Sequence, residues 1–170
     1  ITSEVSFNIK KLGVDLYKYF AKSEENYKKG IFDSYSSKTK QNKKDRYVNI
    51  RVDPADKYLI IDGSSYKGKT SKDNIVGTWW NHEILQSKAQ ISGISGRIIE
   101  QTVTFIGKKE IIIGGKTFKT LHFNFKSSDK SLPESKKLNT DIWYEEETYL
   151  WVKAAFDKTG HWEYRIKNYK

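Results

Sequence analysis

Alternation of apolar and polar residues with period two runs through most of this chain. In RYVNIRV (Arg46 to Val52), Val48, Ile50 and Val52 fall with Arg46 on one side of an extended backbone, and Tyr47 on the other. In VSFNI, Val5, Phe7 and Ile9 share a side. Such a period suits a strand, whose successive side chains point to opposite faces, and not a helix of 3.6 residues per turn. Gly, Asn and Asp punctuate the pattern roughly every 8 to 14 residues, and β-branched and aromatic residues are abundant, as in antiparallel sheets.

About ten strands are expected, near 4–11, 14–23, 27–37, 45–53, 57–62, 97–106, 109–113, 116–126, 140–145 and 149–157, with an eleventh at 161–168. One short helix is expected over 79–88 (WWNHEILQSK). Loops are expected at the basic Lys38–Lys44 and at Ser127–Asn139. Neither is long or biased enough to separate two domains, so 1–170 reads as one domain. The fold class is all-β: a single, strongly curved antiparallel sheet, or an incomplete or closed up-and-down barrel.

Turn chemistry fixes parts of the register. In Asp157-Lys158-Thr159-Gly160, Asp opens a type I turn and Gly supplies the left-handed residue. That sets Asp157 opposite His161, Phe156 opposite Trp162, Ala154 opposite Tyr164 and Val152 opposite Ile166. Gly114-Gly115 suits a two-residue hairpin, and Gly107-Lys108 is a weaker candidate for the turn before it.

The stretch GSSYKGKT (Gly63 to Thr70) spells the phosphate-binding pattern G-x-x-x-x-G-K-[ST]. A working loop of that kind must lead into a helix whose N-terminal N–H groups hold the phosphates. Here SKDNIVGTWW follows, with two β-branched residues, a Gly and an Asp-Asn pair, which makes a poor helix. The stretch is therefore expected to be a turn between strands, with no nucleotide bound.

The 170 residues carry a net charge of +10, almost all from Lys, the arginines being Arg46, Arg51, Arg97 and Arg165. Readers of bases and phosphates favour the planar fork of Arg, so a solvated cationic surface is expected and no specific nucleic acid. The absence of Cys excludes disulfides and thiolate metal sites. His82, His122 and His161 form no H-x-H or H-x-x-x-H pair, so neither a metal nor a cofactor is expected. SGISG (Ser92 to Gly96) lacks the G-x-S-x-G spacing of a nucleophile elbow. No run is long enough for a transmembrane helix. The chain starts at Ile1 without an initiator Met, which a removed signal peptide or a trimmed boundary would explain.

Face arithmetic points to a binding surface. In the last strands one side is an ordinary core of Leu121, Phe123, Phe125, Leu150, Val152, Ala154, Phe156, Trp162, Tyr164 and Ile166. The opposite side mixes Phe118, His122, Tyr149 and Trp151 with Lys153, His161, Glu163 and Arg165. A three-residue turn at Glu145–Thr148 would bring Trp143 opposite Trp151 on that same side. Large aromatics there need cover, from a ligand, the 79–88 segment, a partner chain or the other half of a barrel. His82, beside Trp79, Trp80, Asn81 and Glu83, could present an imidazole and a carboxylate to a cleft.

LIIDGSSYKG, GTWWNHEIL, SGRIIEQTVTFIGKKEI and DIWYEEETYLWVKAAFDKTGHWEYRI, with FNIKKLGVDLY near the start, resemble a family of small exported bacterial proteins known as a domain of unknown function. That family ends in a WYD-x-x-G-x-L-V-K pair of hairpins, whose usual Asp and Gly are replaced here by Glu145 and Thr148. The resemblance implies export with a cleaved signal peptide, placing the protein in the periplasm or outside the cell. It also implies a curved antiparallel sheet, a hairpin at GSSYKG and no established activity.

The leading expectation is a non-enzymatic protein that binds a hydrophobic or amphipathic small molecule, lipid- or pigment-like. Its candidate ligand-binding residues are Trp143, Trp151, Tyr149, Phe118, His122, Arg165, Lys153, Trp79, Trp80 and His82. An envelope protein whose aromatic face is covered by a partner chain or a second copy is the alternative. A small enzyme using His82 and Glu83, or His122 and His161, is the third reading.

Overall fold

The computed structural model describes residues 1–12, 14–157 and 160–167. Its strands are β1 (Thr2–Lys11), β2 (Val14–Lys28), β3 (Ile31–Gln41), β4 (Lys44–Val52), β5 (Leu59–Gly63), β6 (Lys67–Thr70), β7 (Ile75–Val76), β8 (Ala89–Ile91), β9 (Ile98–Ile113), β10 (Lys116–Ser127), β11 (Asn139–Glu145), β12 (Trp151–Asp157) and β13 (His161–Arg165). The all-β class is as expected, but the described residues form thirteen strands rather than about ten, arranged in two antiparallel sheets rather than one. Strands β6, β7 and β8 have four, two and three residues, too short for alternation to register. Conversely, the strands expected at 97–106 and 109–113 are one strand. His122 pairs with Gly107 and Phe123 with Phe105, so Ile106 is the extra residue of a bulge where a turn was expected.

Segment 79–88 holds no α-helix, only a 3-10 turn at His82–Leu85. Trp79 stands at φ 66°, a left-handed conformation that a right-handed helix cannot include. The chain divides into two compact units, Ile1–Gly77 with Ile91–Ile98, and Thr78–Gln90 with Ile99–Lys170.

In the first unit, β1 to β6 pair in chain order, each antiparallel to its neighbour. The turns fall later than expected. Lys29-Gly30, at φ 50° and 79°, closes β2 and β3, and Asn42 at φ 52° begins the turn into β4. Asn42 tolerates that conformation because its Oδ1 accepts the Lys18 N–H at 2.7 Å while its own N–H donates to the Lys18 carbonyl at 2.8 Å. Most of the expected basic loop Lys38–Lys44 is consequently strand. Val48, Ile50, Leu59 and Ile61 form the core with Tyr35, Val76 and Ile91.

The Ser92–Gly96 loop packs onto this sheet. Tyr35 Oη and Ser37 Oγ both donate to the Gly93 carbonyl, at 3.0 and 2.5 Å. Ser65 N–H donates to the Ser95 carbonyl at 2.9 Å. GSSYKGKT is the β5–β6 hairpin, with Gly63 N–H donating to Tyr66 O at 2.9 Å and Asp62 pairing with Lys67. Thr70 leads into β7 through a turn in which Asn74 N–H donates to Ser71 O at 3.2 Å. The first glycine of the motif has a packing reason: a Cβ on Gly63 would lie 2.5 Å from the Ser95 carbonyl oxygen.

In the second unit, β9 to β13 pair in chain order. Gly114-Gly115, at φ 59° and 81°, forms the expected two-residue hairpin, pairing Ile113 with Lys116. Phe156 pairs with Trp162, Ala154 with Tyr164 and Asp157 with His161, as turn chemistry predicts. Lys158 and Thr159 of that turn, and residue 168 of the expected last strand, lie outside the described residues. Phe125, Ile142, Tyr144, Val152 and Ala154 are fully buried.

Gly63→Ala should cost roughly 1–3 kcal/mol, because backbone rather than a flexible side chain blocks the new methyl group. Urea unfolding checks this; an unchanged midpoint would show that the Ser92–Gly96 loop is not packed against β5.

Candidate binding site

All ten candidate residues belong to the second unit, where they fall into two groups. The link from Glu145 to Leu150 decides which aromatics meet. It is a four-residue loop, not three, closed by Glu145 N–H to Leu150 O at 2.8 Å and Tyr149 N–H to Glu145 O at 3.0 Å. Glu145 Oε2 accepts from the Thr148 N–H and hydroxyl, both at 2.7 Å, and from Glu147 N–H at 3.1 Å. These bonds stabilise the carboxylate and hold its pKa below the ordinary glutamate value, Thr148 contributing most. The longer loop and a register shift pair Trp143 with Lys153 and Tyr144 with Trp151. The expected Trp143–Trp151 pair is thereby corrected: an extra residue in β12 displaces the strand by one.

The first group is built on Trp143, 6% exposed. The His122 ring stacks on its indole, centroids 4.2 Å apart and planes at 14°, and Lys153 Nζ lies 4.6 Å from its centroid. His122 Nε2 is 2.8 Å from Asp141 Oδ1, which fixes the imidazole in place. Lys153 is anchored by an ion pair with Glu163, which also binds Arg165. Those contacts, Lys153 first, hold the Glu163 carboxyl down to about 2. His161 Nδ1 lies 2.8 Å from Asp157 Oδ1, which raises its pKa above the ordinary histidine value. The cover that Trp143 requires thus comes from side chains of neighbouring strands. Phe118 is also buried, with Lys116 Nζ 5.1 Å from its ring centroid.

The second group is more open. Trp151 lies parallel to Trp79 at 6.4 Å and edge-on to Trp80 at 5.3 Å, while His82 meets Tyr149 at 5.0 Å. Trp80 and Tyr149 are 44% and 36% exposed, and Trp151 is buried between its neighbours. Tyr144 Oη donates to the Trp79 carbonyl at 3.0 Å, and burial raises the phenol's pKa. The Nε1–H groups of Trp143 and Trp151 are buried without an acceptor among the described residues. His82 therefore stands against an aromatic ring, while Glu83 Oε2 accepts from Asn81 Nδ2 at 3.2 Å.

Two residues that position this group carry no motif. Gln90 and Gln101 are buried, and Gln90 Nε2 donates to Gln101 Oε1 at 2.7 Å. Gln101 Nε2 in turn donates to the carbonyls of Ile84 and Ser87, at 3.1 and 3.0 Å. The pair ties the 3-10 turn, with Ile84 fully buried, to β9. A polar residue at an inward position, as Gln101 is in IIEQTVTF, was the available signal.

A family model described as a domain of unknown function (DUF6134) matches residues 1–167, in keeping with the resemblance read from the sequence. No curated protein and no solved structure matches the chain.

Gln101→Leu should destabilise the protein by at least about 2 kcal/mol, since it strands Gln90 and two carbonyls in the interior; chemical denaturation measures it. Glu163 gives a pH prediction. Its folded pKa lies below the ordinary 4.5, so its stabilisation is present above 4.5 and is lost as pH falls toward about 2. The stability gap between wild type and Glu163→Gln should narrow across that window. A gap constant with pH would mean that the ion pairs do not form in solution.

Proposed function

The chain belongs to the DUF6134 family, whose description assigns no activity, and from its second unit we propose a non-enzymatic protein that binds an amphipathic small molecule. The molecule's flat apolar part lies on the platform of Trp79, Trp80, Tyr149 and Trp151, with His82 at its margin. The observation that carries this reading is backbone strain. Trp79 and Tyr149 hold φ of 66° and 55°, a conformation that costs a non-glycine residue about 1–2 kcal/mol. Strain held at aromatic residues, next to an exposed Trp80, is the pattern of a surface shaped for something else to meet. Aromatic faces supply the affinity. Export, with a signal peptide removed, belongs to the same proposal and rests on the family resemblance.

A second reading, in which another protein chain covers the surface, is favoured by Phe105 and Ile106, both more than half exposed at the β9 bulge.

Titration with 8-anilinonaphthalene-1-sulfonate, followed by tryptophan fluorescence, tests the platform. Trp80→Ala should weaken binding about tenfold or more, as loss of a stacking aromatic does. Tyr149→Gly should weaken binding while leaving the thermal midpoint unchanged or higher, because it relieves the strained φ. Equal affinity in wild type and Trp80→Ala would sink the reading. Native mass spectrometry before and after organic extraction separates the alternatives: a co-purified small molecule supports it, and a discrete oligomer with quench-resistant tryptophans supports the partner chain.

A further inference from the structure

The outer face of β2–β4 in the first unit has a different character. Cross-strand pairing places Lys22 directly opposite Lys38, and Lys38 opposite Tyr47. One step along the same face, Phe20 stands opposite Lys40, and Lys40 opposite Asp45. Among the described residues none of these three lysines has an ion-pair partner, whereas Lys18, Lys28, Lys67 and Lys72 of the same unit each do. Like charges directly opposite each other destabilise a sheet; Lys22 also has Glu4 across from it on β1, so Lys38 is the lysine whose cross-strand neighbours, Lys22 and Tyr47, offer no carboxylate. Phe20 is 43% exposed beside them.

Two depressions meet at Lys38. One, of about 370 Å³, is lined by Phe20, Lys38, Lys40, Asp45, Arg46 and Tyr47. The other, of about 260 Å³, is lined by Thr2, Lys22, Glu24, Ser36, Lys38 and Asn49. The first thus offers aromatic surface beside two ammonium groups, a guanidinium and a carboxylate, and the second offers hydroxyl, amide and carboxylate groups beside Lys22 and Lys38.

We propose that this face binds an acidic oligosaccharide. One sugar ring lays its C–H face on Phe20 and Tyr47, its carboxylate or sulfate meets Lys22, Lys38 and Lys40, and the next ring places hydroxyls on Ser36, Asn49, Thr2 and Glu24. The second depression decides between anions. A phosphodiester backbone there meets the like charge of Glu24, which hydroxyl groups instead use as an acceptor.

Calorimetric titration of the whole chain at low salt, where surface charge is least screened, tests this. The probes are trigalacturonate, neutral galactotriose and single-stranded oligothymidylate. Trigalacturonate should bind, with galactotriose at least about tenfold weaker, and Lys38→Gln and Phe20→Ala should each lower affinity about tenfold, the loss of one charge-assisted contact or one stacking face. Both residues are on the surface, so thermal midpoints should stay put; Lys40→Gln serves as a second charge variant. Trp80→Ala should leave this binding unchanged, which keeps it separate from the platform of the second unit. No heat with trigalacturonate, equal binding of the neutral sugar, unchanged affinity in both lysine variants, or tighter binding of oligothymidylate would each overturn the proposal.

Discussion

The antiparallel ladder commits each residue to one partner and one face, so a single residue gained or lost at a turn re-assigns every side chain beyond it. The second unit depends on this at the Glu145–Leu150 loop. Because that loop has four residues and β12 bulges by one more after Trp151, Lys153 rather than Trp151 stands across from Trp143. The ammonium then lies over the indole, and Trp151 is released to meet Trp79 and Trp80. One covered and one open aromatic group follow from the length of one loop and the bulge that succeeds it.

Where turn chemistry is local and strong, the sequence could be read directly. Gly114-Gly115 and the Asp157–Gly160 link specify their hairpins, and the pairing of Phe156 with Trp162 follows by counting. Val48 and Ile50 announce their burial by period alone. Legibility ended where geometry rests on side chains acting at a distance. The Glu145 carboxylate accepts from the N–H and the hydroxyl of Thr148, and those bonds stabilise a longer loop that no local pattern signals. Gly107 suits a turn or a bulge equally, so local pattern cannot place the β9 bulge. Charge masks alternation at Lys38 and Lys40, which lie inside β3 although their residue types suit a basic loop. The candidate aromatics were visible as residue types; their division into two groups was not.

The two groups solve one problem differently. A tryptophan carries a large apolar body that must be covered. At Trp143 the body is covered by His122 and Lys153, themselves held by Asp141 and Glu163, so the cover is a chain of charged groups each fixed by the next. At Trp151 the cover is other aromatics, carried by a segment whose backbone is strained at Trp79 and held down by buried glutamines. Charged cover of the first kind weakens with salt and acid, whereas aromatic cover does not.

Strand β6, KGKT, closes the six-stranded sheet of the first unit at one margin. The outer row of N–H and C=O groups on such a strand is a template on which another chain can polymerise. Here it is only four residues long, with two lysines whose charged tips are engaged by Asp62 and by the ring of Tyr58. An incoming strand would have to break those contacts and desolvate both ammonium groups to add itself. The letters that resemble a phosphate cradle therefore act as a guard against fibre growth, and replacing them with neutral β-formers would expose the chain to edge-to-edge aggregation.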